Sequence, residues 1–167
     1  MLDNFKRRFF WIVARTCFVL YRWLPLFGKL RAALGIVQQD GQFLVIHRND
    51  GRGFCLPGGI CAWKEAAEDT LRREIQEETG LIVTEGELRL SYFSDADVPC
   101  NISVFAVQTT GELKNSWEGS PHWMTVDEFE PRLLLSQQPV LEILRRMSAN
   151  ATVGENNDRG RTHEEDR

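Results

Sequence analysis

The sequence predicts an α/β chain of the α+β kind: short strands flanked by two helices, with a separate amphipathic helix at the N-terminus. Three observations carry this. Short apolar runs punctuated by turn signals recur between residues 32 and 108. Among them, residues 65–79 place their apolar side chains at helical spacing. A second helical pattern follows the last run and ends near Met147. At 167 residues the chain suits one core with appendages, and the expected division is a basic apolar helix over 1–30, a domain over 31–147 and a disordered tail over 148–167.

The arm is the first element. Phe9-Phe10-Trp11-Ile12-Val13 opens an apolar stretch in which Arg8, Arg15, Arg22 and Lys29 recur every seventh residue, so a helix would carry them as one stripe until Pro25 ends or kinks it. Arg15 would sit near the middle of any membrane span, at roughly 2.5–3.5 kcal/mol on insertion scales. The interrupting cations and the lack of an A-x-A site also argue against a secretory signal. Two readings stay open: a helix lying in the plane of an anionic bilayer, or one packed on its own domain or across a homodimer. Residues 1–39 hold seven basic side chains and one acid, net +6, and the remainder thirteen and twenty-three, net −10, which sum to −4. With no basic stripe on the acidic body, general nucleic-acid binding is not expected. The four cysteines form no CxxC pair, which disfavours structural zinc and a disulfide framework and suits a reducing cytoplasm, with the chain peripheral on the membrane if the arm binds lipid.

Ala32–Val37 and Phe43–Ile46 read as strands joined across Gln39-Asp40-Gly41-Gln42, whose Asp-Gly step signals a hairpin. His47–Gly53 reads as a loop. Phe54-Cys55-Leu56-Pro57-Gly58-Gly59 is a short apolar run ending in a Pro-Gly-Gly turn, where glycine lets the backbone approach a ligand closely. The helix that follows spans about Glu65 to Thr79, with Ala67, Leu71 and Ile75 every fourth residue and Gly80 suited to a left-handed cap. Glu74, Glu77 and Glu78 share one face of it. Like charges at this spacing repel by roughly 0.2–0.5 kcal/mol per pair, so something positive is expected among them. Oxygen donors without thiolate or imidazole suit Mg²⁺ first and Mn²⁺ second.

Read together, Gly59, five residues, Glu65, seven residues, and Arg73-Glu74-Ile75-Gln76-Glu77-Glu78-Thr79-Gly80-Leu81 resemble without exception the Nudix box of the Nudix hydrolases, and Pro57-Gly58 fits as well. The resemblance implies a mixed sheet sandwiched between helices over about 31–147, and hydrolysis of a nucleoside diphosphate linked to another moiety by water attack at phosphorus. It implies Glu74, Glu77 and Glu78 as metal ligands or base, the Gly59 carbonyl as a further ligand, and Arg73 as the residue orienting a box glutamate. Glu65 reads as structural, near the helix start where its charge complements the dipole. Gly58 and Gly59 would face substrate. The family's late acidic residue falls by position on Glu118, as ligand or base, and Arg48 stands where a guanidinium can hold a phosphate bidentately. Phe54, Trp63 and Trp117 are candidates for stacking on a base, and His122 reads as packing or surface.

Leu81-Ile82-Val83 starts an extended segment, and Leu88–Phe93 and Ile102–Gln108 read as further strands. Thr125-Val126-Asp127-Glu128 is a capping box, and Ser136 precedes a helix over about Gln137–Met147. The leading function is a divalent-metal-dependent pyrophosphohydrolase acting on a nucleoside-diphosphate-type small molecule. The alternative is a membrane-tethered binding or sensing module of the same fold without hydrolysis.

Overall fold

The computed structural model describes residues 30–117 and 119–150; the arm over 1–29, Glu118 and residues 151–167 lie outside the described residues. Leu30, assigned to the arm by sequence, is the first residue of strand β1 (Leu30–Gln39). The chain turns at Asp40 (φ 49°) and Gly41 (φ 73°) into β2 (Gln42–Arg48). Two successive positive φ values match the right-handed twist of a two-residue hairpin, as the Asp-Gly step predicts. β2 runs on through Arg48, so the connection expected from His47 begins at Asn49.

Phe54–Cys55 (β3) and Gly58–Ile60 (β4) are short edge segments. Helix α1 covers Ala67–Thr79 and is closed by Gly80 at φ 77°, whose N–H donates to the Gln76 carbonyl. It starts two residues later than expected because Glu65 is drawn into a turn: its N–H donates to the Ala62 carbonyl at 3.1 Å, and its carboxylate accepts the Ala62 N–H at 2.8 Å.

The two extended segments expected at 81–83 and 88–93 are one strand, β5 (Ile82–Ser94), which pairs antiparallel with β6 (Cys100–Thr110) through irregularities at Val83/Glu85 and Leu88/Leu90. β6 runs parallel to β1, matching Leu30 with Cys100 through Val37 with Val107. β7 (Gly119–Met124) pairs β2 along its whole length. The resulting mixed sheet runs β3-β2-β1-β6-β5, with β4 on β1 and β7 on β2.

Thr125 donates its N–H to Glu128 Oε2 at 2.8 Å at the head of α2 (Val126–Phe129), as the capping pattern requires. The helix expected from Gln137 begins as a 3₁₀ segment, Leu135–Val140, with Pro139 inside it. Proline lacks the N–H an α-helix would use there. Residues 141–150 then form α3, which takes in 148–150, assigned to the tail by sequence.

Alternation along β1 sends Leu34 and Ile36 to one face and Ala33 and Val37 to the other. The first face joins Phe43, Val104, Phe129 and Leu144 in a core under α2 and α3. The second joins Leu44, Phe105, Leu71 and Ile75 under α1. The sheet is therefore sandwiched between helices, and α1 brings its acidic side to the β4 edge of β1.

Candidate active site

β4 and α1 build the site. Gly58 and Gly59 pair with Leu34 and Ala33 across the β1 edge. Gly58 sits at φ 143°, and a Cβ there would lie 2.1 Å from the Ala33 carbonyl oxygen, so only glycine fits. At Gly59 a Cβ would stand 2.4 Å from Oε1 of Glu74. The Glu74 carboxylate is thus pressed against bare backbone. One turn later the buried Glu78 accepts the Gly58 N–H at 2.9 Å through Oε2. Loop backbone and helix carboxylates meet here.

Arg73 supplies the positive charge. Its Nε and Nη2 donate to the two oxygens of Glu65, each at 3.0 Å, while Nη1 donates to Glu74 at 2.8 Å and to Glu77 at 3.3 Å. Glu65, expected to act on the helix dipole, instead anchors this guanidinium, and the hydrogen bonds from Arg73 and the Ala62 N–H hold its carboxyl down to about 2. Glu77 is the most exposed box glutamate and opens to water. Among the described residues, no three carboxylate, imidazole or thiol groups close on one point.

Arg48, at the end of β2, donates to both oxygens of Asp50, with Nη2 to Oδ2 at 2.8 Å. Asp50 also accepts from Arg52 Nε at 2.8 Å. Burial would raise the Asp50 pKa, but the two arginines outweigh it and hold the carboxyl below the usual range. Arg48 is therefore engaged inside the chain, a partnership that a residue two positions away hides from spacing arguments. Beneath it Cys55 is buried, and desolvation pushes its thiol up to about 12, which leaves it inert as a nucleophile. Phe54 is buried under the Arg132 guanidinium, 4.6 Å from the ring centroid, rather than presented for stacking. Trp63 and Trp117 are exposed, and the Trp117 carbonyl accepts from Asn49 at 3.0 Å. His122 is exposed beside His47. Glu118 lies outside the described residues, between Trp117 and the start of β7.

The donor set suits a hard divalent cation, since the carboxylates of Glu74 and Glu78 stand against a glycine edge that carries no side chain. The α+β sandwich thus carries a glycine strand edge, two glutamates tethered by Arg73, Glu74 and Glu77, and a third, Glu78, bonded to the strand backbone. The family model described as the NUDIX domain matches residues 28–145, and the chain belongs to that family. It is 32% identical over 111 residues to a MutT-like protein of Streptomyces ambofaciens, covering 65% of this chain and 71% of that protein. Over 51 residues it is 47% identical to an ADP-ribose pyrophosphatase of Methanocaldococcus jannaschii, a match covering 29% of this chain and 30% of the relative. The crystal structure of a MutT NUDIX hydrolase from Burkholderia pseudomallei shares the fold, with a TM-score of 0.61 at 22% identity over 68% of this chain and 96% of that one.

Proposed function

We propose that the chain hydrolyses the pyrophosphate bridge of a nucleoside diphosphate linked to a second moiety, with Mg²⁺ or Mn²⁺ held by Glu74, Glu77, Glu78 and the Gly59 carbonyl. The observation that carries this is the Glu74 carboxylate set directly on Gly59, with Glu78 bonded to the neighbouring Gly58 N–H. When bound, the cation neutralises charge on the phosphate oxygens and lowers the pKa of a coordinated water. Arg73, fixed by Glu65, orients Glu74 and Glu77. Glu77, open to solvent, takes the proton of the attacking water, with Glu118 as a second acid in this role. Arg48 holds a substrate phosphate in competition with Asp50. Residues 31–147 form the catalytic unit.

The intact set of three glutamates favours hydrolysis over a binding module, which has no need of mutually repelling carboxylates. The match to an ADP-ribose pyrophosphatase supports nucleotide sugars as the first substrates to try. The test is nucleoside-monophosphate release across a panel of nucleoside-diphosphate derivatives with Mg²⁺, with Mn²⁺ and with chelator. Metal-dependent release that falls by a factor of about 10²–10⁴ in Glu77→Gln and Glu78→Gln, with the fold retained, is expected. Unchanged turnover in both variants would remove the metal-site assignment.

A further inference from the structure

Among the described residues four polar or charged side chains are buried: Thr70, Glu78, Thr79 and Gln137. Three of them belong to α1. Thr70 and Thr79 donate to the carbonyls of Ala66 and Ile75, one turn back in the chain, and Glu78 faces the glycine edge. Gln137 belongs to the other layer of the sandwich, in the 3₁₀ segment Leu135–Val140, and is 5% exposed. An amide taken out of water needs a partner inside the protein. Its Oε1 accepts the Leu56 N–H at 2.8 Å, across 81 positions of sequence.

Leu56 stands at the approach to the site. β3 ends at Cys55 and β4 begins at Gly58, so Leu56 and Pro57 cross between two strand edges. The crossing is held by the Pro57 carbonyl, which accepts the Gly35 N–H at 2.8 Å, and by the Leu56 N–H, which donates to Gln137. Because proline has no N–H, the next donor along the backbone is Gly58, the one that bonds Glu78. A shift of the crossing at Leu56 therefore moves the bond that seats Glu78 and, one residue further, the bare backbone against Glu74.

The segment that carries Gln137 is itself anchored. The Gln137 N–H donates to the Leu134 carbonyl at 2.9 Å, and the Leu134 N–H to the Phe54 carbonyl at 3.0 Å, beside an isolated parallel bridge between Phe54 and Leu133. Ser136 donates to Asp97 at 2.6 Å, and its carbonyl accepts the Tyr92 hydroxyl at 2.8 Å. Where the chain turns into the 3₁₀ segment, the Gln137 side chain supplies Leu56 with an acceptor. An apolar residue of similar volume would fill the space but leave the Leu56 N–H buried without that partner. Core packing alone therefore does not require glutamine here.

We propose that Gln137 is a positioning residue of the hydrolytic site: it fixes the 56–59 segment against α1, so that Glu74 and Glu78 meet the glycine edge in the geometry that holds the cation. The proposal rests on the hydrolytic reading above and adds to it a residue from the opposite layer, acting through the Leu56 N–H alone. Displacement of a positioned group costs rate more than it costs substrate binding.

The test compares three variants of the full chain. Gln137→Met keeps the length but offers only a weak thioether acceptor, and Gln137→Glu keeps an oxygen for the Leu56 N–H. Val140→Ala opens the same apolar core without removing a bond to the crossing. The readouts are kcat and KM at saturating Mg²⁺, Mn²⁺ affinity by titration calorimetry without substrate, and amide hydrogen exchange at Leu56 and Gly58. Gln137→Met is expected to lower kcat at least about tenfold with KM within about twofold, to weaken Mn²⁺ binding and to speed exchange at both amides. Gln137→Glu should bring kcat back to within about threefold of the parent. Val140→Ala should lower the thermal midpoint and leave kcat and Mn²⁺ affinity as in the parent. Should Gln137→Met not fold, Gln137→Asn, one methylene shorter, carries the same expectations. Parent-like kcat, Mn²⁺ affinity and Gly58 exchange in the Met or Asn variant overturn the proposal, as does an equal loss of kcat in Val140→Ala. A parent without turnover, whose Mn²⁺ affinity and Gly58 exchange still respond to Gln137, overturns the hydrolytic reading alone and supports the positioning of the glycine edge.

Discussion

Gly59 matters for what it lacks. A methyl group there would stand 2.4 Å from the Glu74 carboxyl carbon, so Gly59→Ala must turn the carboxylate away from the strand. The expected result is a fall in kcat/KM of at least about tenfold, because small displacements of a positioned group are costly in rate. The thermal midpoint, read in parallel, should move little, since Glu74 can swing toward water. Glu65 gives a different signature. Arg73 holds its carboxyl near about 2, against an ordinary value of 4.5. A carboxyl with a depressed folded-state pKa stabilises the fold above its unfolded value and loses that contribution as pH falls between the two. The midpoint of the parent should therefore decline from about pH 4.5 toward about pH 2 more steeply than that of Glu65→Gln. Parallel pH profiles for the two proteins would show that the Arg73 pairing adds nothing to the fold.

At the scale of elements, α1 is set on the sheet through Gly35. A side chain there would begin 2.7 Å from Ile75 Cδ1 and 3.2 Å from Leu71 Cδ1. Gly35→Val should push the helix outward, destabilise the protein by about 1–3 kcal/mol in denaturant titrations, and pull Glu74 and Glu78 off the glycine edge. Much of this was legible from residues alone. Asp40-Gly41 foretold the hairpin and Gly80 the end of α1, because left-handed positions leave a mark in composition. Of the three glutamates that the box spacing puts on one face, Glu74 and Glu78 meet the glycine edge and Glu77 stays open to water. What stayed hidden depended on partners distant in sequence. Thr84-Glu85-Gly86-Glu87 reads as a break, yet β6 carries β5 across it through two irregularities. Arg48 reads as placed to hold a phosphate, yet Asp50 already takes its guanidinium. Glu65 reads as a dipole partner because nothing in the spacing says that Arg73 reaches back eight residues to it.

For the molecule as a whole, a cation that binds only the folded site must stabilise it. At one hundred times its dissociation constant, Mg²⁺ or Mn²⁺ should contribute about 2.7 kcal/mol. Differential scanning fluorimetry is expected to show a rise in midpoint that chelator reverses and that Glu78→Gln lacks; an equal rise in that variant would place the cation elsewhere. The parallel pairing of β1 with β6 has its own consequence, for the order in which the protein is made. β1, the hairpin, the glycine edge and α1 all leave the ribosome before β6, yet Leu30–Val37 gains its second neighbour only when Cys100–Val107 arrives. At about 5–20 residues per second, the box exists for about 1–5 s as a nascent chain whose central strand is covered on one side only. Final assembly of the site is therefore a late event in synthesis, although the residues that define it are among the first of the domain to appear.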